Sequence, residues 1–438
     1  MISQEERLFV GVDFGTTNTV VSLCDSAGRT QTLSFSTSQG QEQTFRSLLC
    51  YVSAEDGDDF GLSLSQTHCG RAAIEAFLEY GEQARLIQSV KTFLSSQSFS
   101  KTHIQGRELT LEHMVADFLK GLMQALGWPH GGARECIHPI TVGRPVTFAG
   151  GGSAAEEAIA VQRLRTAFEW VGFKDIQLVY EPAAAAYFFS RRLQSEATVL
   201  VADFGGGTSD FSIVRFNPKD GSSQPLGHAG VGIAGDRLDF CIIDHVVAPA
   251  LGKGSLFRPE GKWLEVPKWI YFEFEQWHRL SFLKRDSVLR ELKKIELTSD
   301  SPEKIANLRL FLEYELGFHL YQEINRCKAQ LSLHPSVDFE FNHPPIHIKK
   351  TIHRKDFEQW IEPDVRAMLG ACHEALDHAG VSVEDISVVF MTGGTSFVPL
   401  IRQQFSDWLG PEKMVRGDEF VSVGSGLALL ARDQARQR

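Results

Sequence analysis

The sequence lacks paired cysteines, clustered basic residues and long apolar runs, and each absence excludes a class of protein. The seven cysteines are scattered and form no Cys-x-x-Cys pair, so neither a disulfide framework nor a cysteine zinc site is expected. No run of five or six basic residues occurs and the formal net charge is −11, which argues against nucleic acid or an anionic membrane as a main partner. No segment approaches the roughly 18 uninterrupted apolar residues that a membrane span needs.

Two further absences concern location and chemistry. Residues 1–7 show none of the basic and apolar regions of a signal peptide, which together with unpaired thiols predicts a cytoplasmic protein. No Ser-His-Asp or Cys-His pattern indicates a side-chain nucleophile. The chain is long and apolar enough for more than one core, since 438 residues with 43% hydrophobic content can form about two to four packed lobes.

A short acidic segment followed by glycine occurs twice. Residues 12–18 read Val-Asp-Phe-Gly-Thr-Thr-Asn, and residues 202–208 read Ala-Asp-Phe-Gly-Gly-Gly-Thr. Each copy lies between two apolar, β-branched runs, which is the pattern of a strand, a tight turn and a returning strand. One copy would be an ordinary hairpin. Two copies predict two similar half-domains that each present a loop to a shared cleft.

These turns are suited to binding phosphate. A turn with several backbone N–H groups on one side binds anions, and glycine allows the anion to approach closely. Asp13 and Asp203 have the wrong charge to contact phosphate, but they would be useful beside Mg²⁺. A glycine pair after a third apolar run strengthens the prediction of a nucleotide site. The candidate residues are Gly15, Thr16, Thr17, Asn18, Gly205, Gly206, Gly207, Thr208, Gly393, Gly394 and Thr395.

Local patterns predict several other elements. Apolar spacing predicts a helix over about 110–126, and Ser153 with Glu156 forms a capping-box pattern at the start of another helix. Residues 388–391 read as a buried strand. Aromatic residues are dense between about 253 and 320, which favours the core of a small lobe over an exposed patch for a partner. They are Trp263, Trp269, Tyr271, Phe272, Phe274 and Trp277.

The chain resembles the DnaK-type heat-shock chaperone ATPases, within the wider actin, sugar-kinase and heat-shock ATPase superfamily. The resemblance extends along nearly the whole length and is greatest to the short, YegD-like members. Six motifs in the family's order make it highly specific. The matching segments are residues 12–18, 142–146, 180–186, 203–210, 232–239 and 392–399.

The resemblance implies a hydrolytic site. Asp13 and Asp203 would hold Mg²⁺ through its water shell. Glu181 matches a family glutamate beside the attacking water, and Lys91 resembles the lysine that orients this water. Phosphoryl transfer to water requires positioning and charge neutralisation more than a covalent partner, so this set suffices. The expected catalytic residues are Asp13, Lys91, Glu181, Asp203 and Thr208.

The resemblance also implies contacts to ATP or ADP. Asp210 and Asp418 match family acids near the metal site and a monovalent-ion site, where K⁺ would bind. The β- and γ-phosphates would be held by Thr16, Thr17, Gly206, Gly207 and Thr208. Further nucleotide contacts are expected at Gly235, Lys328, Ser332, Gly393, Gly394, Thr395 and Phe397.

The sequence departs from the family at two places. The family clamps adenine between two arginines, whereas Ala329 and Phe397 occupy those positions here. Stacking of a cation on the base is lost, although Phe397 could stack instead, so weaker or less base-selective binding is expected. Full-length family chaperones also continue into a peptide-binding domain. We expect no such domain here, so the resemblance does not extend to direct holding of client proteins.

We therefore expect an α/β fold of two ribonuclease-H-like, actin-like ATPase lobes with inserted subdomains around a nucleotide cleft. The first lobe would cover 1–194 and the second 195–438, with a helical and aromatic subdomain at about 240–335 and a final helix from about 422 that crosses back to the first lobe. The expected function is a slow, Mg²⁺-dependent ATPase switch of chaperone type with an unknown protein partner. An actin-like filament protein, a non-hydrolysing nucleotide-sensing scaffold and a small-molecule kinase remain as alternatives.

Overall fold

The structure is a computed structural model. It describes most of the chain, and every structural statement below refers to those residues. The described residues are 8–37, 40–53, 66–104, 107–128, 137–148, 153–190, 195–217, 222–275, 280, 283–415 and 422–437.

Strands and helices both contribute throughout the described chain. The strands are β1 (Leu8–Phe14), β2 (Asn18–Cys24), β3 (Thr30–Thr32), β4 (Phe35–Thr37), β5 (Gly40–Glu42), β6 (Phe45–Arg46), β7 (Leu48–Val52), β8 (Gln66–Cys69), β9 (Ala84–Gln88), β10 (Lys101–Ile104), β11 (Arg107–Thr110), β12 (Ile137–Arg144), β13 (Ile176–Tyr180), β14 (Ala197–Phe204), β15 (Ser209–Asn217), β16 (Ser222–Val231), β17 (Leu256–Phe257), β18 (Leu264–Glu265), β19 (Ser336–His343), β20 (Ile346–His353), β21 (Val388–Thr392) and β22 (Met414–Val415).

The helices follow the same chain order. They are α1 (Arg71–Tyr80), α2 (Leu111–Ala125), α3 (Ala154–Trp170), α4 (Glu181–Ser190), α5 (Gly235–Ile242), α6 (Ala248–Ala250), α7 (Trp269–Phe272), α8 (Asp286–Thr298), α9 (Pro302–Glu313), α10 (Gly317–Leu333), α11 (Arg354–Ala379), α12 (Pro399–Leu409) and α13 (Ser422–Gln437).

Two mixed sheets have the same strand order. The first runs β13-β12-β1-β2-β3, and the second, listed in the corresponding direction, runs β22-β21-β14-β15-β16. In each sheet the central strand pairs antiparallel with the strand that follows it in sequence and parallel with a strand from much later in the chain. Both predicted hairpins are present, and the α/β class is confirmed. The division into two ribonuclease-H-like lobes stays a prediction.

The predicted helix starts are also present. The helix expected over about 110–126 is α2, and α3 begins after Ser153 as the capping-box pattern predicts. The Ser153 hydroxyl accepts a hydrogen bond from the Glu156 N–H at 3.3 Å, and the Glu156 carboxylate accepts one from the Ser153 N–H at 3.0 Å. These reciprocal bonds satisfy donors that a helix start otherwise leaves unpaired.

Helices α4 and α13 lie between the two sheets. Ala184 and Ala185 of α4 and Leu427 of α13 share one apolar cluster with Val199 and Phe390 of the second sheet. Helix α13 also contacts β1, β2 and β12 of the first sheet. Small side chains permit this packing, because bulkier residues would hold the helices apart.

The aromatic segment is only partly a core. Tyr271 and Phe274 are buried, each 1% exposed, as expected. Trp263, Trp269 and Phe272 are 53%, 45% and 60% exposed, so the core interpretation is wrong for these three residues. The physical reason is that α7 is only four residues long and buries just Ile270 and Tyr271, while Trp263 precedes β18, whose two residues are both exposed. Trp277 lies outside the described residues.

The length and hydropathy of each described helix show whether it could span a membrane. Among the described helices, none is both long and apolar enough to cross a bilayer.

A glycine-to-alanine pair tests the helix crossing. A Cβ at Gly426 of α13 would lie 1.9 Å from the backbone oxygen of Ala184 in α4, so Gly426→Ala must push the helices apart. We expect its free energy of unfolding, measured by chemical denaturation, to fall by at least about 1–3 kcal/mol, the usual cost of overpacking.

Gly370 provides the matched control. It also lies within a helix, α11, and a Cβ there would meet nothing within 4 Å. Gly370→Ala should raise the free energy of unfolding by up to about 1 kcal/mol, because alanine favours the helix. Equal effects of the two substitutions would contradict the close crossing of α4 and α13.

Candidate functional site

The two aspartates of the repeated motif end the central strands of the two sheets. Asp13 lies near the end of β1 and Asp203 near the end of β14. Asp203 is opposite Asp210 on β15 and Thr392 on β21, and the Thr392 hydroxyl donates a hydrogen bond to the Asp203 Oδ1 at 2.7 Å. The strand register therefore fixes the direction of this carboxylate.

A lysine from another part of the chain joins the aspartates. Lys91 lies in a 3-10 turn, Val90–Phe93, and its Nζ donates to the Oε1 of Glu181, the first residue of α4, at 2.7 Å. The side chains of Lys91 and Glu181 are 8% and 14% exposed, so the ion pair is nearly removed from water. The structure thus brings together two residues, 90 positions apart in sequence, that were assigned to one site.

Charge is unbalanced in this cluster. Desolvation raises the pKa of Asp13 to about 8, with the charge of Glu181 adding to the effect and that of Lys91 opposing it. Desolvation also raises the pKa of Asp203, although Thr392 donates to it, and raises that of Asp210 to about 6. Desolvation alone would lower the pKa of Lys91, but the charges of Glu181 and Asp13 outweigh it and raise this pKa.

An excess of carboxylates suits a cation. Asp13, Glu181, Asp203 and Asp210 act on one another against the single charge of Lys91. Among the residues described, no three His, Cys, Asp or Glu side chains are placed to hold a metal ion directly. Oxygen ligands that act through water are typical of Mg²⁺, so the donor set fits a hydrated ion of this type. Asp418 lies outside the described residues.

The first glycine turn is supported by a residue that the motif analysis missed. The Ser47 hydroxyl donates to the Gly15 carbonyl at 2.7 Å, and the Ser47 N–H donates to the Thr17 carbonyl at 2.9 Å. The Thr19 and Ser47 hydroxyls are 3.0 Å apart. Because Ser47 occupies the carbonyls of Gly15 and Thr17, the backbone N–H groups on the opposite side of the turn can be presented to a ligand. The Oδ1 of Asn18 is buried and has no hydrogen-bond partner within the described residues.

The second glycine turn is supported by the start of α5. The Gly235 and Asp236 N–H groups donate to the carbonyls of Gly205 at 3.2 Å and Gly206 at 2.8 Å. A Cβ at Gly206 would lie 2.4 Å from the Thr17 hydroxyl, so the two turns approach each other directly. Only glycine permits this approach.

Thr208 of the second turn donates its hydroxyl to the Asp210 carboxylate at 2.8 Å. Gly207 of the same turn is exposed, as is Thr208. Both residues are therefore accessible from solvent.

The glycine pair Gly393-Gly394, which follows β21, lies beside the second glycine turn. Gly393 adopts φ 82°, and a Cβ there would lie 2.1 Å from the Phe204 carbonyl oxygen. The Thr395 hydroxyl donates to the Gly205 carbonyl at 3.4 Å. The three turns, at residues 13–18, 203–208 and 393–395, thus come together in space, which the spacing in sequence could only suggest.

The residues expected to contact a base form a second group. Lys328 of α10 makes an ion pair with Asp239 at 2.7 Å and donates to the Gly235 carbonyl at 3.2 Å. The Ser332 hydroxyl donates back to the Lys328 carbonyl at 3.2 Å. Ala329 is exposed on the same helix. Lys328 and Gly235 are therefore in contact, while Ser332 bonds to its own helix.

Phe397 has a cationic neighbour that sequence reasoning missed. Phe397 is 42% exposed, and the guanidinium carbon of Arg402 lies 5.7 Å from the centre of its ring. This distance is within the range of a cation–π interaction. No motif marks Arg402; the only available signal is its spacing of about one helical turn from the 3-10 turn that ends at Phe397.

The geometry defines a class of protein, an α/β fold in which two similar strand-turn-strand units meet beside a cluster of acidic side chains. Comparisons with known proteins agree with this class. The family model described as Hsp70 protein matches residues 160–254 and 314–432. Over these two segments the chain is similar to the Hsp70 family.

Relatives with chaperone names align over nearly the whole chain. The chaperone protein HscA homolog of Shewanella putrefaciens is 24% identical over 97% of this chain and 58% of its own length. The chaperone proteins DnaK of Deinococcus radiodurans and Thermotoga neapolitana are each 24% identical, over 95% and 98% of this chain and 58% and 61% of their own lengths. The chain thus spans about three fifths of the length of these relatives.

The raised carboxylate pKa values predict how stability depends on pH. A carboxylate whose pKa is higher in the folded than in the unfolded protein stabilises the fold at low pH, and this contribution is lost as the pH rises through the folded value. For Asp13 the window runs from about 4 to about 8. Ligand-free protein in chelator should therefore lose stability, measured as the denaturation midpoint, between about pH 5 and pH 8.

Substitution identifies the group responsible. Asp13→Asn should flatten the decline, because the amide does not titrate. Glu374→Gln, at an exposed position of α11, serves as the control and should leave the decline intact. If the denaturation midpoint of Asp13→Asn falls with pH as steeply as that of the unmodified protein, Asp13 is not the group responsible.

Proposed function

We propose that the protein is a slow, Mg²⁺-dependent ATPase that works as a nucleotide switch. The observation that carries this proposal is the Lys91–Glu181 ion pair, set among Asp13, Asp203 and Asp210 where three glycine turns meet. The turns supply N–H groups for phosphates, and the ion pair supplies groups that can orient water. Similarity to the Hsp70 family and to relatives named chaperone proteins supports the same conclusion.

The mechanism requires positioning rather than covalent chemistry. The turns at residues 15–18 and 205–208 would bind the β- and γ-phosphates through backbone N–H groups and the hydroxyls of their threonines. Lys91 and Glu181 would hold the attacking water, with Lys91 as donor and Glu181 as acceptor. Asp13 and Asp203 would hold Mg²⁺ through its waters; when bound, the ion neutralises phosphate charge.

The same arrangement suggests how the nucleotide could act as a switch. Each sheet supplies one phosphate turn, so bound ATP would draw together the proposed lobes, residues 1–194 and 195–438, and hydrolysis would loosen them. Helices α4 and α13, which pack between the sheets, would serve as the hinge. Asp210 and Asp418 would lie near the metal site and a monovalent-ion site, where K⁺ would bind.

A chaperone role follows only by analogy. The relatives are named chaperone proteins, and the chain matches about three fifths of their length. We propose that the switch acts with a protein partner, as the family does. The presence of Lys91 and Glu181 at the phosphate end favours hydrolysis over a scaffold that only senses nucleotide.

Two substitutions test the catalytic assignment. Lys91→Ala removes the donor to the attacking water, and Asp203→Asn weakens the hold on Mg²⁺. Each should lower single-turnover ATP hydrolysis by about 100-fold or more. Binding of ATP, measured as a rise in melting temperature with and without Mg²⁺, should persist in Lys91→Ala.

Lys101→Ala is the matched control for Lys91→Ala, because Lys101 is 56% exposed and pairs with Glu108 on the surface. It should leave turnover unchanged. If both site variants hydrolyse ATP at the rate of the unmodified protein, the assignment fails. If the unmodified protein shows no melting shift with any nucleotide, the proposed function itself fails.

The residues at the two positions expected to contact the nucleotide base, Ala329 and Phe397, predict weak discrimination between ATP and GTP. Ala329 offers no cation to the base, and the Phe397 ring can stack on adenine or guanine alike. Calorimetric titration should therefore give affinities for ATP and GTP that differ by less than about tenfold. Ala329→Arg should restore a stacking cation and strengthen ATP binding. Strong rejection of GTP by the unmodified protein would contradict this prediction.

A further inference from the structure

We propose that Arg46 is a further phosphate-binding residue, which contacts the phosphate chain of the nucleotide from the side of the first sheet. Nothing in the motifs marks this residue. The proposal deepens the proposed function and rests on it.

The backbone of Arg46 is fixed beside the first phosphate turn. Strand β6 pairs antiparallel with β2, so that Arg46 is opposite Asn18, the last residue of the turn. The next residue, Ser47, holds the carbonyls of Gly15 and Thr17 through bonds of 2.7 and 2.9 Å. Neighbouring strands are about 5 Å apart, so Arg46 begins one strand spacing from the turn.

The side chain of Arg46 points away from the core. Its neighbour Phe45 is 9% exposed and packs against Phe35 and Phe118, with ring centres 4.9 and 5.7 Å away. Successive side chains on a strand point to opposite sides, so Arg46 is directed out of this core. Arg46 is exposed to solvent, so its guanidinium is accessible to a ligand.

The charges that Arg46 meets belong to both halves of the molecule. Desolvation and the nearby Arg71 lower its pKa, while Glu42, Asp236 and Asp239 raise it. Asp236 and Asp239 lie on α5, which follows the second sheet, so these charges act from across the cleft. An arginine remains protonated at neutral pH despite such a shift.

Most of these neighbours already have partners. Arg71 forms an ion pair with Glu42, and Lys328 pairs with Asp239 at 2.7 Å. Asp236 is the remaining carboxylate, and its Oδ1 would lie 3.5 Å from a Cβ placed on Gly206.

The guanidinium of Arg46 is therefore drawn toward the point where the turn of Gly206 meets Thr17. A phosphate held by the N–H groups of those turns would come within reach of it. Phosphate accepts two parallel hydrogen bonds from a guanidinium, which makes it a strong partner for arginine.

The alternative is an ion pair across the cleft with a purely structural role. Such a pair would affect every ligand of the closed cleft alike, whether or not the ligand carries phosphate. A phosphate contact would instead distinguish ligands by their phosphates. Adenosine, which has the base and ribose but no phosphate, separates the two possibilities.

The experiment compares ADP, ATP and adenosine at millimolar concentration, by calorimetric titration in Mg²⁺ buffer, for the full chain. Arg46→Ala should weaken ADP and ATP binding by about 10- to 100-fold, the usual effect of a lost charge-assisted hydrogen bond, and leave adenosine binding unchanged. Arg46→Lys should be intermediate, because it keeps the charge but loses the planar fork. The salt dependence of ADP binding should also weaken in Arg46→Ala.

Arg366→Ala is the control, since Arg366 is 68% exposed and pairs with Glu362 within α11. Equal melting temperatures of the Arg46 variants and the unmodified protein, without ligand, would show that they fold. Unchanged ADP affinity in Arg46→Ala, or equal losses for ADP and adenosine, would overturn the role of Arg46 alone. Absence of nucleotide binding by the unmodified protein would overturn the proposed function together with it.

Discussion

Four carboxylates, Asp13, Glu181, Asp203 and Asp210, face a single lysine at the junction of the two sheets, and the rest of the site depends on this unbalanced charge. Like charges enclosed by protein destabilise the fold unless they are protonated or neutralised. The surrounding structure holds them in place through strand register, through the Thr392 hydroxyl and through the Lys91 ion pair. This repulsion lowers the stability of the ligand-free protein, as is typical of functional sites, and the proposed Mg²⁺ and phosphate would offset it.

Much of this arrangement could be predicted from local sequence. A hairpin depends on a few adjacent residues, so the turns after Asp13 and Asp203 could be recognised from apolar alternation and glycine alone. The capping of α3 by Ser153 and Glu156 is local in the same sense. Lys91 and Glu181 were assigned through the resemblance, and the structure places them in contact.

The remaining features depend on contacts between distant segments. Ser47 supports the first turn and Arg46 is opposite Asn18 at the end of this turn, yet neither belongs to a motif, because their importance arises only when β6 pairs with β2. Arg402 approaches Phe397 through the geometry of one helical turn. Exposure of Trp263 and Trp269 could not be read from composition, since an aromatic residue on a short hairpin and one in a core look the same in sequence. The family match omits residues 255–313, which contain both tryptophans.

The position of α13 has a consequence for synthesis of the chain. This helix, at residues 422–437, covers strands of the first sheet that begin at residue 8, and the hydroxyls of Ser22 and Ser425 lie 3.5 Å apart. The apolar surface of β1 and β2 therefore stays uncovered on the ribosome until translation has passed residue 437. Contacts so distant in sequence form slowly, and exposed strands are prone to aggregate in the interval. A protein related to chaperones thus has a first sheet that itself needs protection while the chain is made.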